Sequence, residues 1–239
     1  MKKLQRTSRQ AGFAYLAIFF SAIFANFMVL QELWVPSDAL STTQNIAENR
    51  NAFNWGVVAF AFTYVVDIIL SYLLFVLFRS AGVWMAALSS VLRFVYTYIF
   101  GIGIIALFKI SMMDFHVIES VADIVLLHIE RFNRYWTGGL LLFGTHLGIL
   151  GILIYRSRLA PRAIGVLLML AGLGYWIDGG AQFLLPNYAE YKSVFELIVI
   201  IPAVIGELAL TLFLLFKGIS RDRELSSAQR NEKRLDLRS

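Results

Sequence analysis

Two things are scarce in this sequence, sulfur ligands and charge. The 239 residues include no cysteine, which excludes disulfides, thiol nucleophiles and thiolate-bound metals but says little about the cellular compartment. Only 15% of the residues are charged, whereas a soluble domain carries about 25%. With 59% hydrophobic residues and a mean hydropathy of +0.69, the composition is not that of an ordinary soluble domain.

The apolar residues are grouped in six long blocks. Each block reaches the ~20 residues that a helix needs to cross a hydrocarbon core of about 30 Å. The blocks lie near 11–31, 55–78, 82–108, 135–155, 163–185 and 194–217. Backbone groups in lipid must be paired within helices or closed barrels, and the ~10-residue alternation of barrel strands is missing. We therefore predict an all-α, polytopic membrane protein: a bundle of six transmembrane helices over residues 1–220, followed by a charged tail at 221–239.

Basic residues are unevenly divided between the two sides of these predicted spans. The first block is too long for a signal peptide, so we interpret it as a retained span. If the N-terminus is cytoplasmic, fifteen Lys and Arg residues lie inside, in segments 2–9, 79, 156–162 and 217–238. Five lie outside, at Arg50, Lys109, Arg131, Arg134 and Lys192. This bias predicts that both termini are cytoplasmic. The net charge of +5 then reflects topology and lipid headgroups rather than nucleic-acid binding.

Two external segments have helical features. In residues 32–54, Asp38 and Ser41 are each a possible N-cap of a short helix. Residues 111–134 carry an apolar stripe opposite a polar face, which predicts an amphipathic external helix between spans 3 and 4. His116 and Glu119 have the spacing of a metal pair, but two ligands do not make a site, and we interpret them as part of a solvated face.

Five ionisable residues lie deep within predicted spans: Asp67, Arg93, His146, Asp178 and Glu207. Each central charge costs about 2.5–3.5 kcal/mol on insertion scales, so we expect all five to face the bundle interior. Thr63 and Tyr175 extend the faces of Asp67 and Asp178, and both join the predicted intramembrane polar site. If His146 is neutral, the set is net negative, which would require a protonated carboxyl group or a bound cation.

Three glycines, Gly144, Gly148 and Gly151, surround His146 along the fourth span. We interpret them as a small-residue face that lets another helix approach closely. The G-x-G-x-x-A pattern that begins at Gly101 lies inside a span with no preceding strand, so it lacks the context of a dinucleotide site.

The whole chain resembles a bacterial membrane family, domain of unknown function 4386. The resemblance lies in RQAGFAYL, ALSTTQNIAENRNAF, FGTHLGILGILIYRSRLAPRAIGVLLMLAGLGYWID and IGELALTLFLLFKG. His146, Pro161, Arg162 and Glu207 match the residues of the family pattern. The resemblance implies a shared fold and a location in a bacterial cytoplasmic (inner) membrane, and it implies no activity.

Several functions remain open at this point. The first is binding or transport of a small solute or proton at the mid-membrane polar site. The alternatives are an intramembrane lipid hydrolase or transferase, with His146 as base and Ser71, Thr63 or Thr97 as nucleophile, and a structural or regulatory subunit. No G-x-S-x-G or H-E-x-x-H motif supports an enzyme. A metal set of His146, Asp67, Asp178 and Glu207 has suitable chemistry but only one deep histidine, so we predict no metal site. The expected partners are the lipid bilayer and a small molecule or proton; cofactor and oligomeric state are unknown.

Overall fold

The computed structural model describes residues 2–185 and 187–219, and every regular element in these ranges is helical. The predicted tail at 221–239 lies outside the described residues. The helices are α1 Lys2–Ile23, α2 Ala39–Glu48, α3 Arg50–Phe78, α4 Val83–Ser111, α5 Ile118–Ser157, α6 Arg162–Leu184 and α7 Tyr188–Leu212. Two of them continue in wider π-helical turns, α1 through Phe24–Leu30 and α7 through Phe213–Lys217.

Six helical segments are long and apolar enough to cross a membrane, which confirms the predicted number of spans. They are Lys3–Leu33, Arg50–Ala81, Val83–Ser111, Ile118–Ser157, Arg162–Gln182 and Glu190–Lys217. All six extend beyond the predicted apolar blocks at one or both ends, because flanking residues continue the helix. These spans imply a lipid bilayer as the environment of the chain.

The chain forms two compact units. Unit 1 comprises Met1–Leu16, Ile68–Tyr96 and Leu140–Ser239, and unit 2 comprises Ala17–Asp67 and Thr97–Gly139. Four helices, α1, α3, α4 and α5, contribute residues to both units.

Glycine contacts hold α5 against α6 inside unit 1. A Cβ atom built on Gly151 would lie 2.5 Å from the carbonyl oxygen of Gly165, and one built on Gly172 would lie 2.5 Å from that of Gly144 and 3.0 Å from the amide nitrogen of Gly148. The two backbones therefore meet with no side chain between them, as small residues permit in membrane helices. The predicted small-residue face is confirmed.

Aromatic rings form the core of unit 2. Phe60 of α3, Phe100 of α4, and Phe132 and Trp136 of α5 have ring centroids 5.0–6.1 Å apart. Several of these pairs meet edge to face, an arrangement that the ring quadrupoles favour. We call these four residues the aromatic cluster.

The amphipathic segment differs from the prediction in one respect. It begins at Ile118 and runs without interruption into the fourth span, so that α5 is one helix of 40 residues. No proline interrupts it, and Gly138 and Gly139 lie within the helix without breaking it. Ala122, Val125, Ile129 and Phe132 of the predicted stripe are buried, whereas His116 and Glu119 are exposed.

The short helix α2, before α3, begins at a predicted cap. Asp38 Oδ1 accepts a hydrogen bond of 2.9 Å from the Ser41 amide at the start of α2, and the Ser41 hydroxyl donates to Asp38 Oδ2 over 2.6 Å. Asp38 is therefore the N-cap, and Ser41 supports it rather than capping a helix of its own.

Candidate functional site

Three buried polar side chains of unit 1 meet between α4 and α5. Ser89 and Arg93 lie one turn apart on α4, and His146 lies on α5 between the glycines that approach α6. Their exposed fractions are 2%, 2% and 0%. We call these three residues the polar cluster.

The contacts of His146 define its protonation state. Nδ1 lies 2.8 Å from the carbonyl oxygen of Ser89, which can only accept, so Nδ1 carries the proton and donates it. Nε2 then accepts from Arg93 Nη1 at 3.3 Å. The Ser89 hydroxyl lies 2.9 Å from Nδ1 and donates to the His146 carbonyl at 3.3 Å. His146 is a neutral imidazole with both nitrogens engaged, which leaves it no lone pair to act as a base in this conformation.

Arg93 packs its guanidinium between two aromatic rings. Its Cζ lies 5.2 Å from the ring centroid of Tyr15 on α1 and 5.1 Å from that of Phe143 on α5. The face of an aromatic ring attracts a cation, and the attraction is strongest where water is excluded. The centroid of the Phe143 ring also lies 5.8 Å from that of the His146 ring, so Arg93 and His146 both contact the same aromatic side chain.

Tyr175 of α6 packs against an aromatic residue that also contacts the cation. Its ring meets that of Phe143 edge to face at 5.5 Å, and Phe143 in turn lies against Arg93. Tyr175 is partly buried, and Asp178 follows it by three residues on the same helix.

Asp178 is held by two donors near the end of α6. Gln182 Nε2 donates to Asp178 Oδ2 at 2.9 Å, and the Tyr188 hydroxyl donates to Oδ1 at 2.6 Å. Burial raises the pKa of Tyr188, and the bond to Asp178 raises it further, so the phenol remains a protonated donor. The Tyr188 ring stacks on Phe195 at 5.6 Å, which fixes its direction.

The other predicted site residues belong to unit 2. Asp67 accepts a hydrogen bond from the Thr97 hydroxyl, and both side chains are buried. The hydroxyls of Thr63 and Ser21 lie 2.7 Å apart, and Thr63 also donates to the Ala59 carbonyl. Of the predicted site, unit 1 thus contains Arg93, His146, Tyr175, Asp178 and Glu207, and unit 2 contains Thr63 and Asp67.

Sequence reasoning missed Ser89, Tyr15 and Phe143. Ser89 precedes Arg93 by four residues, so helical spacing places both on one face of α4, and that spacing is the signal that could have found it. Tyr15 and Phe143 had no such signal, because an aromatic residue that stacks on a cation has the same pattern as one that faces lipid.

The polar cluster belongs to no metal-binding group among the described residues and lines neither of the two pockets given below. Across residues 2–185 and 187–219, no group of three or more His, Asp or Glu side chains could hold a metal ion. A pocket of about 490 Å³ is lined by residues 47–52, and another of about 290 Å³ lies between α3 and α4 in unit 2. Ser89, Arg93 and His146 line neither of these pockets.

Comparison with known proteins gives a family but no activity. The sequence profile described as "Domain of unknown function (DUF4386)" matches residues 10–218. An "Uncharacterized protein" of Archaeoglobus fulgidus is 27% identical over 164 residues, which cover 69% of this chain and 84% of that protein. No solved structure matches the chain significantly.

Proposed function

The chain belongs to the family described as domain of unknown function 4386, which carries no assigned activity, and we propose that it binds and transports a small polar solute, coupled to a proton, in unit 1. The site comprises Arg93, Tyr175, Asp178 and Glu207, with His146 as the residue that positions Arg93. Asp67 and Thr63 form a second polar pair within unit 2.

The observation that carries this proposal is that Arg93, Asp178 and Glu207 lie within three different spans, α4, α6 and α7, of one compact unit. Ionisable residues within spans are costly and mark substrate or proton pathways more often than other intramembrane residues do. Because His146 is neutral, we assign the transported proton to a carboxyl group. Glu207 is the candidate, since its side chain is only partly buried.

The same proposal includes an orientation. Both termini lie in the cytoplasm and the first turns of α5 lie outside, because the cytoplasmic segments would carry fifteen of the 21 basic residues. Arg156, Arg158 and Arg162, all exposed, mark the cytoplasmic connection between α5 and α6.

A flux measurement tests the proton. Purified protein in liposomes with a trapped pH dye and an imposed potassium–valinomycin potential is expected to admit protons, and Glu207→Gln is expected to abolish that entry. Glu196→Gln is the matched control, because Glu196 lies on the same helix, has a side chain 45% exposed and pairs with Lys192 at 3.6 Å. Equal flux in all three proteins, or none in the wild type, would contradict proton coupling.

A thermal-shift screen of amino acids, carboxylates, amines and sugars tests the solute. A solute at about 100 times its Kd adds about 2.7 kcal/mol to the free energy of unfolding. The shift in melting temperature should vanish in Arg93→Lys and Glu207→Gln and persist in Glu196→Gln.

One observation favours a second candidate function, a purely structural role. The polar cluster is closed to solvent, and both nitrogens of His146 are bonded within the protein. Under this alternative, Arg93→Lys lowers the melting temperature but no solute raises it in any variant. The two candidates therefore predict different outcomes of the same screen.

A further inference from the structure

The pocket between α3 and α4 in unit 2 has the chemistry of a binding site for a lipid-soluble ligand. It has a volume of about 290 Å³ and is lined by Ala61, Tyr64, Tyr98, Gly101, Ile102, Ile104 and Ile105. Five of these seven side chains are small or aliphatic, and the two tyrosines supply its polar groups.

Small residues create this groove. The ring of Tyr64 lies directly against Gly101, where a Cβ atom would come within 2.6 Å of Tyr64 Cε2. Ala61 is exposed and leaves the opposite side open. Any larger residue at these two positions would fill the space that the groove now provides.

The groove lies deep in the membrane and faces lipid. Tyr64 and Tyr98 lie within two residues of the midpoints of their spans, Arg50–Ala81 and Val83–Ser111. Tyr98 is 60% exposed and Ile105 is 56% exposed, so the groove continues the lipid-facing surface of these two helices. The hydrogen bond between Asp67 and Thr97, one turn from Tyr64 and adjacent to Tyr98, holds the two helices in register beside it.

The two phenols distinguish this groove from ordinary lipid-facing surface. Within residues 2–185 and 187–219, neither the Tyr64 nor the Tyr98 hydroxyl has a hydrogen-bond partner. A hydroxyl without a partner in an apolar medium costs free energy, and no lipid headgroup or ester reaches the middle of the bilayer. An acyl chain would fill the volume but would leave both hydroxyls unbonded.

We propose that this groove binds a lipid-soluble quinone, an apolar molecule whose carbonyl oxygens accept hydrogen bonds from the Tyr64 and Tyr98 hydroxyls. The site belongs to unit 2 and is independent of the transport site proposed in unit 1.

Photolabelling tests this site. Protein in nanodiscs is exposed to an alkyl diazirine that carries a ring ketone and, in parallel, to a hydrocarbon diazirine of the same length. The ketone probe is expected to label residues 61–64 and 98–105 saturably, whereas the hydrocarbon probe labels exposed faces of all spans alike. The double change Tyr64→Phe and Tyr98→Phe should weaken the binding of the ketone probe, by about three- to tenfold for each hydrogen bond lost.

Two further variants complete the test. Tyr72→Phe is the matched control, because Tyr72 is a lipid-exposed tyrosine of the same helix α3 and lies outside the groove; it should leave labelling unchanged. Ala61→Phe, at an exposed position, should exclude the ketone probe by filling the groove. Equal labelling by both probes would assign the groove to acyl chains and overturn the proposal, as would undiminished ketone labelling of the double variant.

Discussion

The polar cluster of unit 1 and the aromatic cluster of unit 2 both join α4 to α5, the aromatic cluster with Phe60 of α3 as well, yet they hold those helices together differently. In unit 1, Ser89, Arg93 and His146 are joined by directional hydrogen bonds between specific donor and acceptor atoms. In unit 2, four rings contact one another through several edges and faces. Apolar contact adds little specificity in lipid, where tails are as apolar as side chains. The comparison indicates that the polar cluster determines register and the aromatic cluster supplies packing.

The largest expected effect comes from removing the cation of the polar cluster. Arg93→Ala should lower the free energy of unfolding by about 3–5 kcal/mol, because it removes the donor to His146 and two ring contacts. Arg93→Lys should recover part of this loss, since lysine keeps the charge but not the planar guanidinium. Chemical unfolding in mixed micelles measures both, and identical stability of alanine variant and wild type would refute the assigned role.

A smaller effect is expected in the aromatic cluster. Phe132→Ala should cost about 2–3 kcal/mol, less than in a soluble core because part of the lost contact is replaced by lipid rather than water. Phe108→Ala is the control, because Phe108 is 51% exposed in the same unit. If Phe132→Ala proves more damaging than Arg93→Ala, the comparison between the two clusters is reversed.

The glycine contact beside the polar cluster can be tested by adding a single methyl group. Gly151→Ala places a carbon atom 2.5 Å from the Gly165 carbonyl, which cannot move aside freely, and should cost about 1–3 kcal/mol. Gly138→Ala has no atom within 4 Å and should be neutral or stabilising by up to about 1 kcal/mol, owing to the higher helix propensity of alanine. The melting temperatures of the two variants are compared with that of the wild type. Equal melting temperatures of Gly151→Ala and Gly138→Ala would contradict the close contact at Gly151.

The smallest effect concerns the loop of unit 2 and depends on pH. Bonds from the Ser41 hydroxyl and amide lower the pKa of Asp38 below its ordinary value of 3.8. The folded protein therefore favours the carboxylate, so the stabilisation is complete above pH 3.8 and is lost as pH falls through the lowered pKa. The protection factor of the Ser41 amide, its exchange rate relative to an unfolded peptide at the same pH, should fall in that acidic window and in Asp38→Ala, and much less in Asp38→Asn, which retains a capping oxygen. A protection factor that stays constant through that window would contradict the role of the carboxylate.

Most of the fold, and part of the candidate site, could be predicted from the sequence. The number of spans, the glycine face and the Asp38 cap follow from local pattern, because hydrophobic length, small residues and capping act within one helix or one turn. The continuity of α5 did not follow, because a change from amphipathic to fully apolar character at residue 134 suggested two elements although nothing breaks the helix there. The predicted site divided between two units, because depth along a span places residues at one level without showing which neighbours they face.

The sequence by itself determined that this protein has six helices long and apolar enough to span a membrane and that five ionisable residues lie within them, because hydrophobic length and residue position are read along the chain. Only the tertiary structure decided what each of them contacts. It placed Arg93 between Tyr15 and Phe143, made His146 a neutral acceptor by aiming its Nδ1 at the Ser89 carbonyl, and paired Asp67 with Thr97. The physical reason is that hydrogen bonds and ring contacts depend on distances of a few ångströms between different helices, which the rotation and packing of those helices set.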